Sequence, residues 1–494
     1  MTRGLLLILA LWLNACGTPP ESPTLLRNYQ QPATSQEIID FVEEAVVKSD
    51  NLYHTVIGYS EGGTPLVAVH ASNPSEYPDT KLHVLIFAQQ HGNEQSGKEA
   101  ALLLIRDMAN GMYNHWFEKL EIWIVPQINP DGSDMNERRN AGGIDLNRDH
   151  IVQLAPETRA IHNLFREFNA HVTVDIHEYY PYRESWAEFG GYKNFDVQVG
   201  IPTNPNVSEE IKTFALMKAL PSIEKHLNEK GFSFHNYIVG PAPNLGRTRH
   251  STVDFDDGRQ SFAIQNTLSF IYEGINGQDG YIENLERRTI GQYEGLVALL
   301  EFLYDTAPET RSMVEKARKN LKEAKTGEKV AIRMEHFPDT STLMLPLTSS
   351  KTGLDTLVMV ENYHPLVQPT LEVSRPFAYL VPANDNQLIE FLKLHKLVID
   401  TNVDLSDRIV SRYFIESIET SIDEELPNRL PRVITQTMNG NELTEEYLLV
   451  PTAQLHSNFI VSLFEPQSML GLAQRPGFEY LLEEGEVFGI LRVE

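Results

Sequence analysis

Hydrophobic and polar positions alternate with two different periods along the first 325 residues, and these periods predict strands and helices in turn. Short apolar or alternating runs predict strands at 53–59, 66–70, 82–87, 120–125, 171–176 and 267–272. Apolar residues at helical spacing predict helices at 36–48, behind Ser35 as a cap, and at 94–108, 156–168, 208–229 and 283–325. The pattern predicts an α/β fold whose mixed, mainly parallel sheet is flanked by helices.

The pattern changes after Thr326 and Gly327, where short β-branched runs begin to dominate. We therefore predict an α/β domain over 36–327 and a smaller β-rich domain over 328–494. In the second domain the pattern predicts one helix, at 386–395, and strands at 355–360, 377–381, 409–414, 446–450 and 458–463. No motif there carries chemistry, so its expected role is to pack on the first domain and shape access to its cleft.

The N-terminus has the pattern of a secretory signal peptide. Nine apolar residues follow the positive start, too few to span a bilayer as a helix. Cleavage before Cys16, the only cysteine, would remove residues 1–15, and the preceding Leu-Asn-Ala resembles the lipobox of bacterial lipoproteins. The resemblance implies a lipidated Cys16, a flexible tether over 16–35 and a membrane anchor. The alternative is an ordinary signal peptide with an incidental cysteine.

These signals predict a lipid-anchored protein of the cell envelope. Gly17, which is not acidic, follows the cysteine; this resembles outer-membrane sorting and implies the outer membrane or the periplasmic face in a Gram-negative host.

Composition narrows the classes of function. The chain has 41 Lys and Arg against 68 Asp and Glu, a net charge of −27, which argues against nucleic acid as a partner. One cysteine excludes a disulfide framework and a cysteine-based zinc site. The remaining expectation is a large soluble globular protein that acts as an enzyme, and the composition indicates no particular oligomeric state.

Three residues at predicted strand ends form a candidate metal site. His91 and Glu94 follow strand 82–87, and His177 ends the strand that begins at 171. Ligands bind at the carboxyl ends of strands in open α/β sheets, and two histidines with one glutamate are a known catalytic zinc set. The His-x-x-Glu spacing alone is common by chance, but its position beside a second strand end favours a zinc site.

Several separated motifs, in order, resemble the zinc carboxypeptidase (carboxypeptidase A-like) family over roughly 36–305. They are His91-Gly92-Asn93-Glu94, Asn129-Pro130-Asp131-Gly132, the segment from Arg138 to Asp149, Asp175-Ile176-His177-Glu178 and Ile271-Tyr272-Glu273. The resemblance implies a zinc carboxypeptidase-like fold and the removal of C-terminal amino acids from peptides with a free C-terminus.

The resemblance also implies a role for each matching residue. One Zn²⁺ per chain would bind His91, Glu94 and His177, with Glu273 as general base. Arg138 would stabilise the oxyanion, with the adjacent Arg139 as the alternative. The remaining implied roles are the substrate carboxylate for Asn147 and Arg148, and a hydrogen bond to the His91 ring for Asp145.

The sequence departs from the family pattern at the active-site tyrosine. Residues 244–252 contain none, and neither Tyr237 nor Tyr272 fits the spacing, so no tyrosine is assigned. Nearby, Asp254, Asp256 and Asp257 form either a solvated acidic loop or a pocket for a basic C-terminal residue.

Two other functions remain open. An N-acyl amino-acid deacylase of the aspartoacylase type shares the His-x-x-Glu pair and an Asn-Arg element. A peptide- or metal-binding lipoprotein without turnover is the alternative outside enzymes.

Overall fold

The computed structural model describes residues 20–73, 80–401, 404–423 and 426–494. Cys16 and the predicted signal peptide lie outside these residues.

Eleven strands lie in the described residues before residue 328. They are β1 (Leu52–Tyr59), β2 (Pro65–Ala71), β3 (Leu82–Ala88), β4 (Leu120–Val125), β5 (Val172–Tyr179), β6 (Gly191–Lys193), β7 (Val197–Gly200), β8 (Phe234–Asn236), β9 (Ile238–Val239), β10 (Thr248–His250) and β11 (Leu268–Ile275). Eight of them form one sheet in the order β1-β2-β4-β3-β5-β11-β7-β8.

Twelve α-helices occur in the described residues. They are α1 (Pro23–Leu26), α2 (Ser35–Val47), α3 (Ser96–Ala109), α4 (Pro130–Met135), α5 (Pro156–Phe168), α6 (Glu184–Phe189), α7 (Glu209–Phe214), α8 (Leu220–Glu229), α9 (Gly258–Ala263), α10 (Leu285–Lys322), α11 (Asn386–Leu394) and α12 (Ser457–Phe464). A π-helical turn, Ala215–Ala219, joins α7 to α8.

The centre of the large sheet is parallel and is covered on both faces. Strands β4, β3, β5 and β11 run parallel, whereas β1 pairs antiparallel with β2, β2 with β4, and β7 with β11. Strand β8 pairs parallel with β7. In β3, Val84 and Ile86 join the core under α3, α8 and α10, and Leu85 and Phe87 join the core under α5 and α9. Successive side chains of a strand point to opposite faces, so helices lie on both sides. The predicted α/β class is confirmed.

The segment before α2 is packed rather than extended away from the domain. Buried Thr24 donates to Glu99 Oε2 at 2.6 Å, and the Ala33 amide donates to Glu99 Oε1 at 2.7 Å. The expectation of a flexible tether is therefore wrong for residues 20–35. The cap of α2 is Thr34, not Ser35, since Thr34 and Glu37 form a reciprocal capping box.

The remainder of the chain is rich in strands. They are β12 (Lys329–Phe337), β13 (Leu343–Ser349), β14 (Asp355–Val360), β15 (Tyr363–His364), β16 (Leu366–Ser374), β17 (Ala378–Pro382), β18 (Ile409–Asp423), β19 (Leu426–Asn439), β20 (Tyr447–Pro451) and β21 (Leu491–Val493). Five of these form the sheet β19-β18-β21-β17-β20.

One predicted strand of this region is wrong. Residues 458–463 belong to helix α12, whose residues are almost all buried. A short, mostly apolar run does not distinguish helix from strand by its period, and the surrounding core decides its conformation.

The β-rich region also completes sheets begun earlier in the chain. Strand β13 pairs with β6, and β15 pairs with β10. None of the helices in the described ranges has an apolar stretch long enough to cross a bilayer.

Candidate active site

Two neighbouring parallel strands bring the candidate metal ligands together. His91 and Glu94 lie in the turn between β3 and α3, and His177 lies near the end of β5. Because β3 pairs directly with β5, their carboxyl ends meet at one edge of the sheet. All three side chains are buried.

The ring nitrogens and the carboxylate converge on a single point. His91 Nδ1 lies 2.7 Å from Glu94 Oε1, His177 Nδ1 lies 2.9 Å from Glu94 Oε2, and the two Nδ1 atoms are 3.1 Å apart. One potential ligand atom from each of the three residues lies within 4.8 Å of the other two. Among the described residues, this is the only group of three histidine, cysteine or acidic side chains that meets this distance.

The far sides of both imidazoles contact carboxylates. His91 Nε2 lies 3.1 Å from Asp145 Oδ1, and His177 Nε2 lies 2.9 Å from Asp175 Oδ1. A carboxylate that accepts the Nε2 proton fixes the ring and leaves the Nδ1 lone pair for a metal. The structure thus places Asp145 where the resemblance implies. Sequence reasoning missed Asp175, although its position two residues before His177 on the same strand face is a usable signal.

This donor set fits zinc. Two imidazole nitrogens and one carboxylate are a three-ligand set of catalytic zinc sites, and tetrahedral ligands at about 2.1 Å from the ion stand roughly 3.4 Å apart. Burial opposes ionisation of Glu94, but His91 and His177 outweigh it and hold the pKa of Glu94 below its usual range. The carboxylate is therefore in the charged form that a metal requires.

Glu273 lies beside this cluster on the next strand. In the β5–β11 register Glu273 pairs with His177, and its side chain lines the cleft while only 7% of the residue is exposed. Burial raises the pKa of Glu273 to about 7, with Glu94 acting in the same direction and the nearby histidines against it. A carboxylate whose pKa lies near neutrality suits proton transfer.

Tyr237 is the aromatic residue that the sequence analysis left unassigned. It lies between β8 and β9, lines the same cleft, and its hydroxyl interacts with the Glu273 carboxylate. Its amide donates to Val199 of the central sheet at 3.0 Å, which fixes its position. The sheet, rather than distance along the chain, brings Tyr237 to the site, so spacing could not reveal it.

Arg138 reaches the metal ligands from the side. Its Nε donates to Asp145 Oδ2 at 2.9 Å, and its Nη1 lies 3.3 Å from His91 Nδ1. Its side chain is 44% exposed and faces the cleft. Arg139, the alternative, donates instead to the carbonyl of Gly143 and does not line the cleft.

Asn147 and Arg148 follow Asp145 closely in the chain and also line the cleft. The Asn147 amide oxygen accepts hydrogen bonds from Gly258 N at 2.7 Å and Gln90 Nε2 at 3.3 Å. Arg148 donates to the Asn147 carbonyl at 2.6 Å and is exposed to the cleft. Desolvation opposes its charge, but Asp256 and other aspartates raise the pKa of Arg148, so it stays cationic.

The three aspartates near Arg148 have partners from this chain. Arg475, in the β-rich region, contacts Asp256 Oδ2 at 2.5 Å and Asp254 Oδ1 at 3.1 Å. Asp257 caps α9 and pairs with Arg259 at 3.2 Å. The solvated-loop interpretation is wrong for Asp256 and Asp257, which are buried.

The cleft lined by Arg138, Arg148, Tyr237 and Glu273 has a volume of about 850 Å³. This is large enough for a ligand of several residues, since small-molecule sites are commonly 300–1,000 Å³.

Residues 38–215 match the zinc carboxypeptidase family. This match confirms the resemblance to that family inferred from the motifs. The match includes all three candidate ligands but ends before Glu273.

Curated relatives include carboxypeptidase 2 of Trichophyton tonsurans, 27% identical over 364 residues, which cover 70% of this chain and 65% of the relative. The chain thus spans slightly less than two thirds of that relative's length. Carboxypeptidase E of Caenorhabditis elegans is 31% identical over 141 residues, or 25% of this chain and 29% of the relative.

Among solved structures, a metallo-carboxypeptidase from Burkholderia cenocepacia has a TM-score of 0.45 and 20% identity, covering 56% of this chain and 71% of its own.

Proposed function

We propose that the chain is a zinc-dependent carboxypeptidase that removes C-terminal amino acids from peptides. The observation that carries the proposal is the convergence of His91, Glu94 and His177 on one point beside Glu273. Glu273 is not needed to complete the three-ligand set, so it remains available for proton transfer.

Two side chains of the cleft, Glu273 and Arg138, act in the chemical step together with the zinc. Bound zinc would polarise the scissile carbonyl and lower the pKa of a water molecule. Glu273 takes a proton from the attacking water on a carboxylate oxygen and delivers it to the leaving amine nitrogen. Arg138, fixed by Asp145, stabilises the negative charge that develops on the carbonyl oxygen.

Asn147 and Arg148 orient the substrate in the cleft. Arg148 presents a planar guanidinium that suits a carboxylate, and Asn147 lies next to it. A charged terminal carboxylate at this point places the last peptide bond, rather than an internal one, beside Glu273. This arrangement favours an exopeptidase.

The deacylase and the non-catalytic lipoprotein remain the competing proposals. The matched family segment favours a peptidase over a deacylase. The position of Glu273 beside His177, together with a pKa raised by burial to about 7, favours turnover over binding alone.

We further propose envelope anchoring through a lipidated Cys16. This proposal rests on the sequence pattern around Cys16. Replacing Cys16 by Ser is expected to abolish labelling with a lipid precursor and release the protein from membranes. Unlipidated Cys16 in the wild type would contradict the anchor.

The experiment that tests the enzymatic proposal uses mass spectrometry on a mixed library of peptides and N-acyl amino acids incubated with zinc-loaded protein. The proposal predicts loss of single C-terminal residues from peptides, and chelation is expected to stop it. Selective cleavage of acyl amino acids would favour the deacylase, and no cleavage would favour a binding protein. His177→Ala is expected to lose both the zinc and the activity.

A further inference from the structure

Lys193 lies in the wall of the cleft. Lys193 ends the short strand β6, is half-buried and lines the same cavity as Glu273. Within the described residues, no carboxylate forms an ion pair with it. Its Nζ lies 4.8 Å from the ring centre of Tyr179 and 5.6 Å from that of Trp186.

In this environment the ammonium form of Lys193 is energetically unfavourable when no anion is bound. Desolvation lowers the pKa of Lys193 to about 8; the charge of Glu273 opposes this shift, and the neighbouring cation Arg183 adds to it. A partly desolvated ammonium beside a second cation is unfavourable unless an anion joins it. Aromatic faces compensate only partly, since a cation–π contact contributes less than an ion pair with a hydrogen bond.

Glu273 is not the missing anion. Its charge favours the ammonium form of Lys193, yet the dominant charged neighbours of Glu273 are His177, Glu94 and His91. No hydrogen bond joins Glu273 to Lys193 among the described residues. A general base locked in an ion pair would also lose its basicity.

The other charged groups that line the cleft already have partners or roles. Arg249 has an interaction partner, and Asp279 accepts hydrogen bonds from the backbone amides of residues 281–283. Glu178 pairs with Arg288 at 2.7 Å, and Asp257 pairs with Arg259. Arg138 pairs with Asp145, and Arg148 is assigned to the substrate's terminal carboxylate. Lys193 and Arg183 therefore form a second cationic point that a single carboxylate does not use.

The β-rich region holds Lys193 in place. Strand β6 pairs antiparallel with β13, and Lys193 lies opposite Leu347. Leu347 is fully buried in the cluster that includes Tyr179 and Trp186. The lysine therefore projects from a fixed strand rather than from a free loop.

We propose that Lys193 binds a second carboxylate of the substrate, so that the enzyme prefers peptides with an acidic side chain at one of their last two residues. This inference rests on the proposed peptidase function and names its substrate class. The side-chain carboxylate of the substrate replaces the hydration that the Lys193 ammonium has lost, while the terminal carboxylate binds Arg148.

The test compares two pairs of peptides that differ only in charge. One pair ends in Glu or Gln, and the other carries Glu or Gln at the penultimate position before a C-terminal Ala. The wild type is expected to show a kcat/KM ratio of Glu over Gln of about tenfold or more in one pair, the size of a charged hydrogen bond. The pair that responds identifies the position.

Variants assign the preference to the lysine. Lys193→Met is expected to bring the ratio close to one, Lys193→Glu to reverse it, and Lys193→Arg to retain it. Lys225→Met, at an exposed lysine of α8, is the matched control and should keep the wild-type ratio. Thermal unfolding of each variant shows whether the fold is intact.

A binding measurement separates this inference from the proposed function. Calorimetry with the zinc-loaded Glu273→Gln variant measures the same preference as a ratio of dissociation constants, without turnover. If the wild type cleaves no peptide, the function fails, while the binding ratio still tests Lys193. Equal binding of Glu and Gln peptides in both pairs would overturn the inference, as would a preference that survives in Lys193→Met.

Discussion

Glu273 and His177 occupy paired positions on two adjacent parallel strands, β11 and β5. Hydrogen bonding between these strands fixes the separation of a candidate proton acceptor from a candidate metal ligand. Neither position depends on a loop, so the relative placement of the two groups is a property of the sheet. A small change in register would separate them.

Replacing Glu273 by Gln keeps the shape of the side chain and removes the base. We expect turnover to fall by about 10² or more, the contribution of a general base, while zinc content and peptide affinity stay near wild type. Steady-state assays measure turnover, metal analysis measures zinc content, and calorimetry measures peptide affinity. Glu224→Gln, at an exposed position of α8, is the control. A wild-type rate in Glu273→Gln would refute its catalytic role.

Replacing Arg148 by Ala should weaken only substrates with a free C-terminus. The lost charged hydrogen bond corresponds to about 1.5–3 kcal/mol, or roughly 10- to 150-fold in kcat/KM. Peptides with an amidated C-terminus lack the carboxylate and should lose much less. Arg139→Ala, whose side chain bonds Gly143 outside the cleft, provides the control. Equal loss for free and amidated peptides would favour an endopeptidase or a deacylase.

Asp145 is expected to control metal affinity through His91. Asp145→Ala removes the acceptor of the His91 Nε2 contact and should weaken zinc binding about 10- to 100-fold. Competition with a zinc chelator measures the change directly, independent of activity. Asp50→Ala, at an exposed position, should leave the affinity unchanged. Unaltered zinc affinity in Asp145→Ala would show that the ring is oriented by other contacts.

Tyr237→Phe tests the hydroxyl beside Glu273. The hydrogen bond from Tyr237 lowers the pKa of Glu273, so its removal should raise that pKa. Because the base must be ionised, the acid limb of kcat/KM should move to higher pH by about half a unit to one unit. Tyr59→Phe, an exposed tyrosine of β1, is the control. An acid limb that stays in place would mean that the hydroxyl does not act on Glu273.

The sequence contained enough information for the central sheet and the metal cluster. Strand β3 is mostly apolar, β5 is buried throughout, and His91 and His177 lie at or just beyond the ends of these strands. Periodicity and position along a strand therefore sufficed. Helix α5 was predicted with its observed bounds because Pro156 begins a strongly periodic segment.

Features that depend on long-range packing were not predictable in this way. Tyr237 reaches Glu273 only because β7, β8 and β11 share a sheet. Residues 20–35 have the composition of a linker, yet the Thr24 hydroxyl donates a hydrogen bond to the buried carboxylate of Glu99. The helix over Ser457–Phe464 is buried at every residue except Asn458, so its short sequence does not distinguish helix from strand.

The preference for acidic substrates should disappear at alkaline pH. Desolvation lowers the pKa of Lys193 to about 8, so the ammonium that binds a carboxylate is present below that pH and is lost as pH rises through it. Glu273, Arg183 and His235 are the charged or titratable groups that act on this lysine. The ratio of kcat/KM for Glu over Gln peptides reports the free enzyme, and we expect it to fall with a midpoint near pH 8. Taking a ratio cancels the ionisation of the base, which both peptides share.

In Lys193→Arg the guanidinium stays charged, so the ratio should remain constant to at least pH 10. A wild-type ratio that is flat from pH 6 to pH 10 would show that Lys193 does not determine the preference.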